Sequence, residues 1–181
     1  MLSSAFSERL ATVFRTSWGW ITLARTERGL SRSTLPSPTR QAALDALPAG
    51  STVVAESTDP LLSRAASLLR DHLAGRPVTF DLPLDLSGIP AFTHAALLAC
   101  HAVPRGATIT YADLARRAGN PKAARAAGQA MRRNPLPLII PCHRVVGSDG
   151  SLTGFAGRER ALEMKRELLE VETGPGFDVS G

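Results

Sequence analysis

The chain has 181 residues, 44% of them hydrophobic and 20% charged, which suits one ordinary globular domain or two small ones. No apolar run approaches the roughly 20 residues that span a bilayer. The first fourteen residues lack the apolar stretch of a secretory signal, so the expectation is a cytoplasmic chain with no membrane partner. Two cysteines, Cys100 and Cys142, exclude a disulfide framework and fit a reducing compartment. The net charge of +5 is unevenly spread: residues 1–99 carry nine Arg against eight acids, whereas residues 105–144 carry seven Arg and one Lys against Asp113 alone. That is the electrostatic footprint expected for a phosphate backbone, although a merely solvated surface looks the same.

In chain order, residues 18–24 and 52–56 are short, partly β-branched or aromatic, and bounded by turn residues, which predicts strands. The Pro- and Ser-rich stretch 33–40 between them predicts a loop. From Pro60, the apolar positions Leu61, Leu62, Ala65, Leu68, Leu69 and Leu73 recur at helical spacing, and Gly75 closes that helix. Residues 80–90 are extended, broken by Pro, and read as a linker. Residues 91–103 are apolar and helical. Thr110 caps a helix to Ala118, Gly119-Asn120-Pro121 ends it, and a second helix runs from Pro121 or Lys122 to about Arg132. Two short helices joined by a Gly-containing turn make a helix-turn-helix signature. The second helix carries almost only small side chains, apart from Arg125. Close packing on a neighbouring helix is one reading; entry into a minor groove only about 6 Å wide is the other.

Residues 138–146 concentrate the chemistry. An aliphatic run predicts a buried strand that delivers Cys142 at its end, with Pro141 fixing the backbone before it. A thiol beside His143 and several Arg is expected to have a lowered pKa, and the thiolate is the nucleophile. Adjacent residues of a strand face opposite ways, so His143 needs a turn here, or a bridging water, to serve the thiol. An inert buried cysteine remains the alternative. Zinc is disfavoured, because a structural site takes four ligands and one Cys-His pair supplies two at most.

Pro141-Cys142-His143-Arg144-Val145 resembles the active-site signature of the O6-alkylguanine-DNA alkyltransferases, or methylated-DNA–protein-cysteine methyltransferases. The resemblance extends through residues 119–126, 131–135, 153–157 and 165–172, and more weakly through 73–76 and 80–86. It implies an α+β fold: a small N-terminal α/β domain with its linker (1–89), then a mostly helical helix-turn-helix domain bearing the cysteine (90–172), then a mobile tail (173–181).

The function it implies is direct-reversal DNA repair, with Cys142 accepting one alkyl group from O6-alkylguanine, or from O4-alkylthymine. The base is first flipped out of duplex DNA, and no cofactor is used. The resemblance makes His143 the base that takes the thiol proton through a water, oriented by Glu172. Asn134 fixes the Cys-His turn, and Tyr111, the one Tyr in the chain, is the phenol that protonates the leaving guanine. Val145 and Ala156 read the base edge along with the Cys142 carbonyl. Arg125 fills the vacated stack from the minor groove, and Thr93, Asn120 and Ser148 contact DNA. The protein is expected to act as a monomer. Phe155 stands where Tyr is common, Ala156 where some members have Ser, and residues 158–161 are more charged than the usual Gly-rich loop. These departures bear on the size of alkyl group accepted.

The family's zinc-bearing members place Cys and His in the N-terminal domain. Here that region holds no Cys and only the isolated His72 and His94, so no metal is expected. Bland readings suit the remaining conspicuous residues: packing for Cys100, a helix surface or interface for His72 and His94, and core for Trp18 and Trp20. Two rival functions are a helix-turn-helix repressor with an inert cysteine and a lesion binder that transfers nothing. A third, a bifunctional transcription activator, needs extra DNA-binding modules for which 181 residues leave no room.

Overall fold

The computed structural model describes residues 9–152 and 159–174. The chain divides into two compact units: one runs up to Leu73 and adds Val78–Leu86, the other comprises Ala74–Pro77 and everything from Ser87 onward.

The first unit is built on a four-stranded sheet with strands β1 (Arg9–Thr16), β2 (Gly19–Thr26), β3 (Gly29–Ser33) and β4 (Ser51–Val53). Their order is β3-β2-β1-β4, antiparallel within β1–β2–β3, while β4 runs parallel to β1. The β1–β2 connection is only Ser17-Trp18, with Thr16 opposite Gly19. The Thr16 hydroxyl closes this turn by donating to the Gly19 carbonyl (2.8 Å) and accepting from the Trp18 amide (3.2 Å). Gly19 sits at φ 128°, and a Cβ there would lie 2.4 Å from the Ser37 carbonyl, so only glycine fits.

Helix α1 (Arg40–Asp45) is capped by Thr39, whose hydroxyl accepts from the Ala42 amide. Helix α2 (Pro60–Leu73) buries Leu62, Ala65, Ala66, Leu69 and Leu73, a stripe at helical spacing that joins Ala11, Phe14, Ile21, Leu23 and Leu30 in this unit's core. The helix starts where its sequence predicted. Its N-terminus is held by Asp59, whose carboxylate accepts from the Leu62 amide (2.9 Å) and pairs with Arg25.

Two strands appear that the sequence did not predict, and two expectations change. Strands β1 and β3 carry no clean polar–apolar alternation, and their pairing comes from β2. Residues 78–86 pack back on the first unit: Phe80, Leu82 and Leu86 are buried and Leu84 bridges Leu30. His72 is buried with its ring edge-on to Phe80 (5.7 Å between centroids), while Trp18 and Trp20 are only partly buried. The Trp18 indole spends its N–H on the Leu73 carbonyl.

The second unit holds α3 (Ala91–His101), α4 (Tyr111–Arg117), α5 (Ala124–Arg132) and α6 (Glu159–Thr173), with a two-residue parallel pair, β5 (Ile109–Thr110) and β6 (Val145–Val146). Thr110 and Asp113 form a reciprocal capping box at the start of α4. Gly119, at φ 88°, turns the chain between α4 and α5. Helix α5 begins later than its sequence predicted because residues 121–122 form a turn. Its small residues serve packing on one face: Ala127 and Ala130 are buried, and a Cβ on Gly128 would meet the Tyr111 ring at 3.9 Å. Arg125 stands on the opposite, exposed face. Of the segment expected as a tail, Thr173 ends α6 and Gly174 follows; residues 175–181 lie outside the described residues.

Candidate active site

Residues 134–141 approach Cys142 without forming a strand. Leu138 has φ 72°, the left-handed region that a branched side chain rarely adopts. The segment is pinned around that residue. The Ile140 amide donates to the Leu136 carbonyl (2.8 Å), and the Asn134 amide group donates to the Ile140 carbonyl (2.8 Å) while accepting from the Leu136 N–H (3.0 Å). His101 places Nδ1 3.1 Å from the Ile139 carbonyl. The aliphatic residues are buried, as their composition predicted, but they fill a folded loop. Cys142–Arg144 then form one turn of 3-10 helix, in which the Arg144 amide donates to the Pro141 carbonyl (2.9 Å). The expected strand end is therefore a tight turn, the geometry that lets neighbouring residues serve one site.

His143 and Glu172 meet inside the protein. His143 Nε2 lies 2.8 Å from Glu172 Oε1, and neither side chain is exposed. Burial alone would raise the Glu172 carboxyl, but hydrogen bonds from His143 and Arg144 outweigh it and hold the group ionised well below the usual carboxylate range. Burial pushes His143 down; Glu172 opposes this, and the nearby positive charges of Arg144 and Lys165 reinforce it. The resting imidazole is thus neutral, with its proton on Nε2 toward the carboxylate and its lone pair on Nδ1.

The thiol corrects an expectation. Burial pushes Cys142 up, and hydrogen bonding by Asn134 and the charge of Lys165 offset this only in part. The positive charge that does act on the thiol is Lys165, not the neighbouring His143 and Arg that the sequence implied, and removal from water is the larger effect. Cys142 therefore rests as a thiol and needs a base. Cys100, also buried, is pushed up strongly, first by burial and then by repulsion from Cys142.

Two further groups border the thiol. Burial raises Tyr111 to about 12, so its phenol stays protonated and can donate. Lys165 is wholly buried, donates from Nζ to the Val145 carbonyl at 2.6 Å, and lies 5.9 Å from the Tyr111 ring centroid. Burial brings its ammonium down to about 8, against the attraction of the cysteines. Sequence reasoning missed Lys165 and the part played by Arg144. A signal for the lysine was present: Lys165, Leu168, Leu169 and Glu172 share one helical face, and a lysine on an apolar stripe is a charge aimed inward.

The DNA-contact candidates are distributed around the second unit. Asn120 and Arg125 are exposed at the helix-turn-helix, and the Asn120 side chain accepts from the Lys122 amide (3.2 Å). Thr93 is half-buried in the first turn of α3, Ser148 is exposed in the turn after β6, and Val145 is buried in β6. Phe155 and Ala156 lie outside the described residues.

A family model described as the DNA-binding domain of 6-O-methylguanine DNA methyltransferase matches residues 91–174. A Bacillus subtilis constitutive methylated-DNA–protein-cysteine methyltransferase is 44% identical over 113 residues, covering 62% of this chain and 67% of the relative. The solved O6-methylguanine methyltransferase of Mycobacterium tuberculosis superposes with a TM-score of 0.72 at 31% identity, over 91% of this chain and 93% of that one. The chain belongs to the methylated-DNA–protein-cysteine methyltransferase family. A structure of the Mycobacterium tuberculosis OGT in complex with DNA matches as well, with a TM-score of 0.73 at 32% identity over 91% of this chain and 92% of that one. The family model thus falls on the unit that holds Cys142, His143 and Glu172. Among the described residues no helix is long and apolar enough to cross a membrane.

Proposed function

We propose that this methyltransferase-family chain repairs DNA by direct reversal, using Cys142 as the acceptor. The Cys142 Sγ attacks the alkyl carbon in line, an S–C bond forms, and the C–O6 bond breaks with its electron pair left on the guanine oxygen. His143 takes the thiol proton through a water, and Glu172 stabilises the imidazolium that results. The Tyr111 phenol supplies a proton to the departing guanine, giving the neutral base. Asn134 holds the turn that presents the thiol. The thioether at Cys142 has no route back, so each chain acts once.

The target carbon is out of reach inside a duplex, and extruding the nucleotide costs a few kcal/mol. Helix α5 with Arg125 would enter the minor groove and fill the vacated stack, with Thr93, Asn120 and Ser148 on the backbone. Val145, Phe155 and Ala156 would line the flipped base. On this reading the protein works as a cytoplasmic monomer on O6-alkylguanine and also accepts O4-alkylthymine. The division of labour proposed is a first domain over residues 1–89 that supports a DNA-binding and transfer domain over 90–172.

One observation carries the reading: a wholly buried His143–Glu172 hydrogen bond of 2.8 Å on the very turn that bears Cys142. A repressor or passive binder has no use for a buried base. The test is mass spectrometry after mixing the protein with duplex DNA containing O6-methylguanine. One methyl group on Cys142 and none on Cys100 is expected, and Cys142→Ala should bind the same DNA without transfer. An unchanged protein mass, or sustained turnover, would sink the reading.

A further inference from the structure

Arg144 follows the Cys-His pair in sequence, and its guanidinium is only slightly exposed, at 9% of the side chain. All three of its nitrogens are engaged. Nε lies 2.9 Å from Glu172 Oε2 and 3.2 Å from Oε1, Nη2 lies 2.8 Å from Oε1, and Nη1 donates to the Val103 carbonyl at 2.5 Å. This is a side-on fork, the strongest and most direction-specific contact that a carboxylate accepts. The same Oε1 receives His143 Nε2 at 2.8 Å. The carboxylate is thus gripped from the turn that carries the nucleophile and its base, while the guanidinium is tied back beyond the end of α3.

We propose that Arg144 is a positioning residue for alkyl transfer: it fixes the Glu172 carboxylate and balances its charge, so that His143 stays neutral at rest and free to take the Cys142 proton. The physical reason is the cost of a lone buried charge. A carboxylate out of water demands a cation. The Gly106 amide also donates to Glu172 Oε2 (3.3 Å) but carries no charge, so without the guanidinium Glu172 would draw a proton onto His143 in the resting protein and use up the base before the reaction began. With the guanidinium already supplying the positive charge, the carboxylate orients the imidazole and stabilises it only when the thiol proton arrives. Of the charged groups acting on His143, Glu172 favours the imidazolium, whereas Arg144 and Lys165 disfavour it. Arg144 differs from Lys165 in touching the carboxylate itself.

The inference rests on the roles proposed for His143 and Glu172, and a double-mutant cycle tests it on the full chain. Single-turnover transfer rates on O6-methylguanine duplex would be measured for the wild type, Arg144→Met, Arg144→Lys, Glu172→Gln and both double variants. Arg144→Met is expected to slow transfer on the order of tenfold to a hundredfold, within what a positioned general base contributes. Arg144→Lys should recover part of the rate, since an ammonium restores the charge but not the fork. In the Glu172→Gln background neither Arg144 substitution should slow transfer further. If Arg144→Met does not fold, Arg144→Lys in the two backgrounds gives the same comparison. Rate losses that add across the two backgrounds, or an Arg144→Met variant as fast as the wild type, would overturn the role of Arg144 alone. A Glu172→Gln variant as fast as the wild type would overturn it together with the proposed role of Glu172.

Discussion

Both units bury charge, and they do so to different ends. In the first unit Asp59 is almost fully buried beside Arg25, and its second oxygen holds the first turn of α2. Each polar atom is matched to a partner that the fold needs anyway, so the arrangement is a structural joint. In the second unit His143, Arg144, Lys165 and Glu172 are all buried within one small region around Cys142. That density of ionisable groups makes poor sense as a way to gain stability, because desolvation offsets most of what a buried pair contributes. It makes good sense as a proton-handling device. Buried charge by itself does not mark a functional site; buried charge next to a nucleophile, with an imidazole that can change state, does.

The largest effect should come from Glu172→Gln. The substitution keeps the shape but removes the counter-charge to the imidazolium, so transfer should slow by on the order of 10²-fold. DNA affinity should stay nearly constant, because the side chain is wholly buried. A full transfer rate would erase the distinction between the units. Next in size is Arg125→Ala, which tests exposed charge as a third kind. Its loss should fall on duplex DNA, where extrusion costs a few kcal/mol, and should reach tenfold or more. Reaction with free O6-benzylguanine, which needs no extrusion, should be almost untouched; equal losses on both substrates would place Arg125 in support of the active site.

Asp59→Ala probes the other side of the comparison. It removes a helix cap and leaves Arg25 without its carboxylate, which together should cost about 1–2 kcal/mol of stability in denaturant unfolding. The transfer rate of the folded protein should not change, and a large fall in rate would show that the first unit's joint serves the chemistry. The smallest effect is on pH dependence. Burial holds His143 below its ordinary 6.5 and disfavours the imidazolium. Transfer needs the neutral ring, so the rate should be fully present above 6.5 and fall only as acid protonates His143, with a midpoint below that value. The same sign applies to stability, since the unfolded chain binds this proton first as the pH drops. A midpoint above 6.5 would mean that Glu172 outweighs burial and Arg144 together.

What the sequence determined by itself is what rests on near neighbours along the chain. The apolar stripe of α2, the Thr110 cap of α4 and the Gly119 turn that opens the way to α5 depend on spacings of a few residues and were legible without coordinates. The Cys142-His143 pair was legible as chemistry, and the family's motifs pointed to Glu172 as its partner. Tertiary structure decided the rest. Strands β1 and β3 exist because β2 pairs with both, and residues 78–86 joined the first unit because Leu30 and the ring of His72 offered them a surface. The aliphatic run before Cys142 has the composition of a strand, yet hydrogen bonds from Asn134 and His101 hold it as a loop and leave Leu138 at positive φ. The thiol was expected to be acidic from its neighbours in sequence, and burial, which no neighbour list contains, reversed the direction. Arg144 reaches a carboxylate 28 residues away. No local pattern marks an arginine for that task, because the grip depends on where α6 comes to rest.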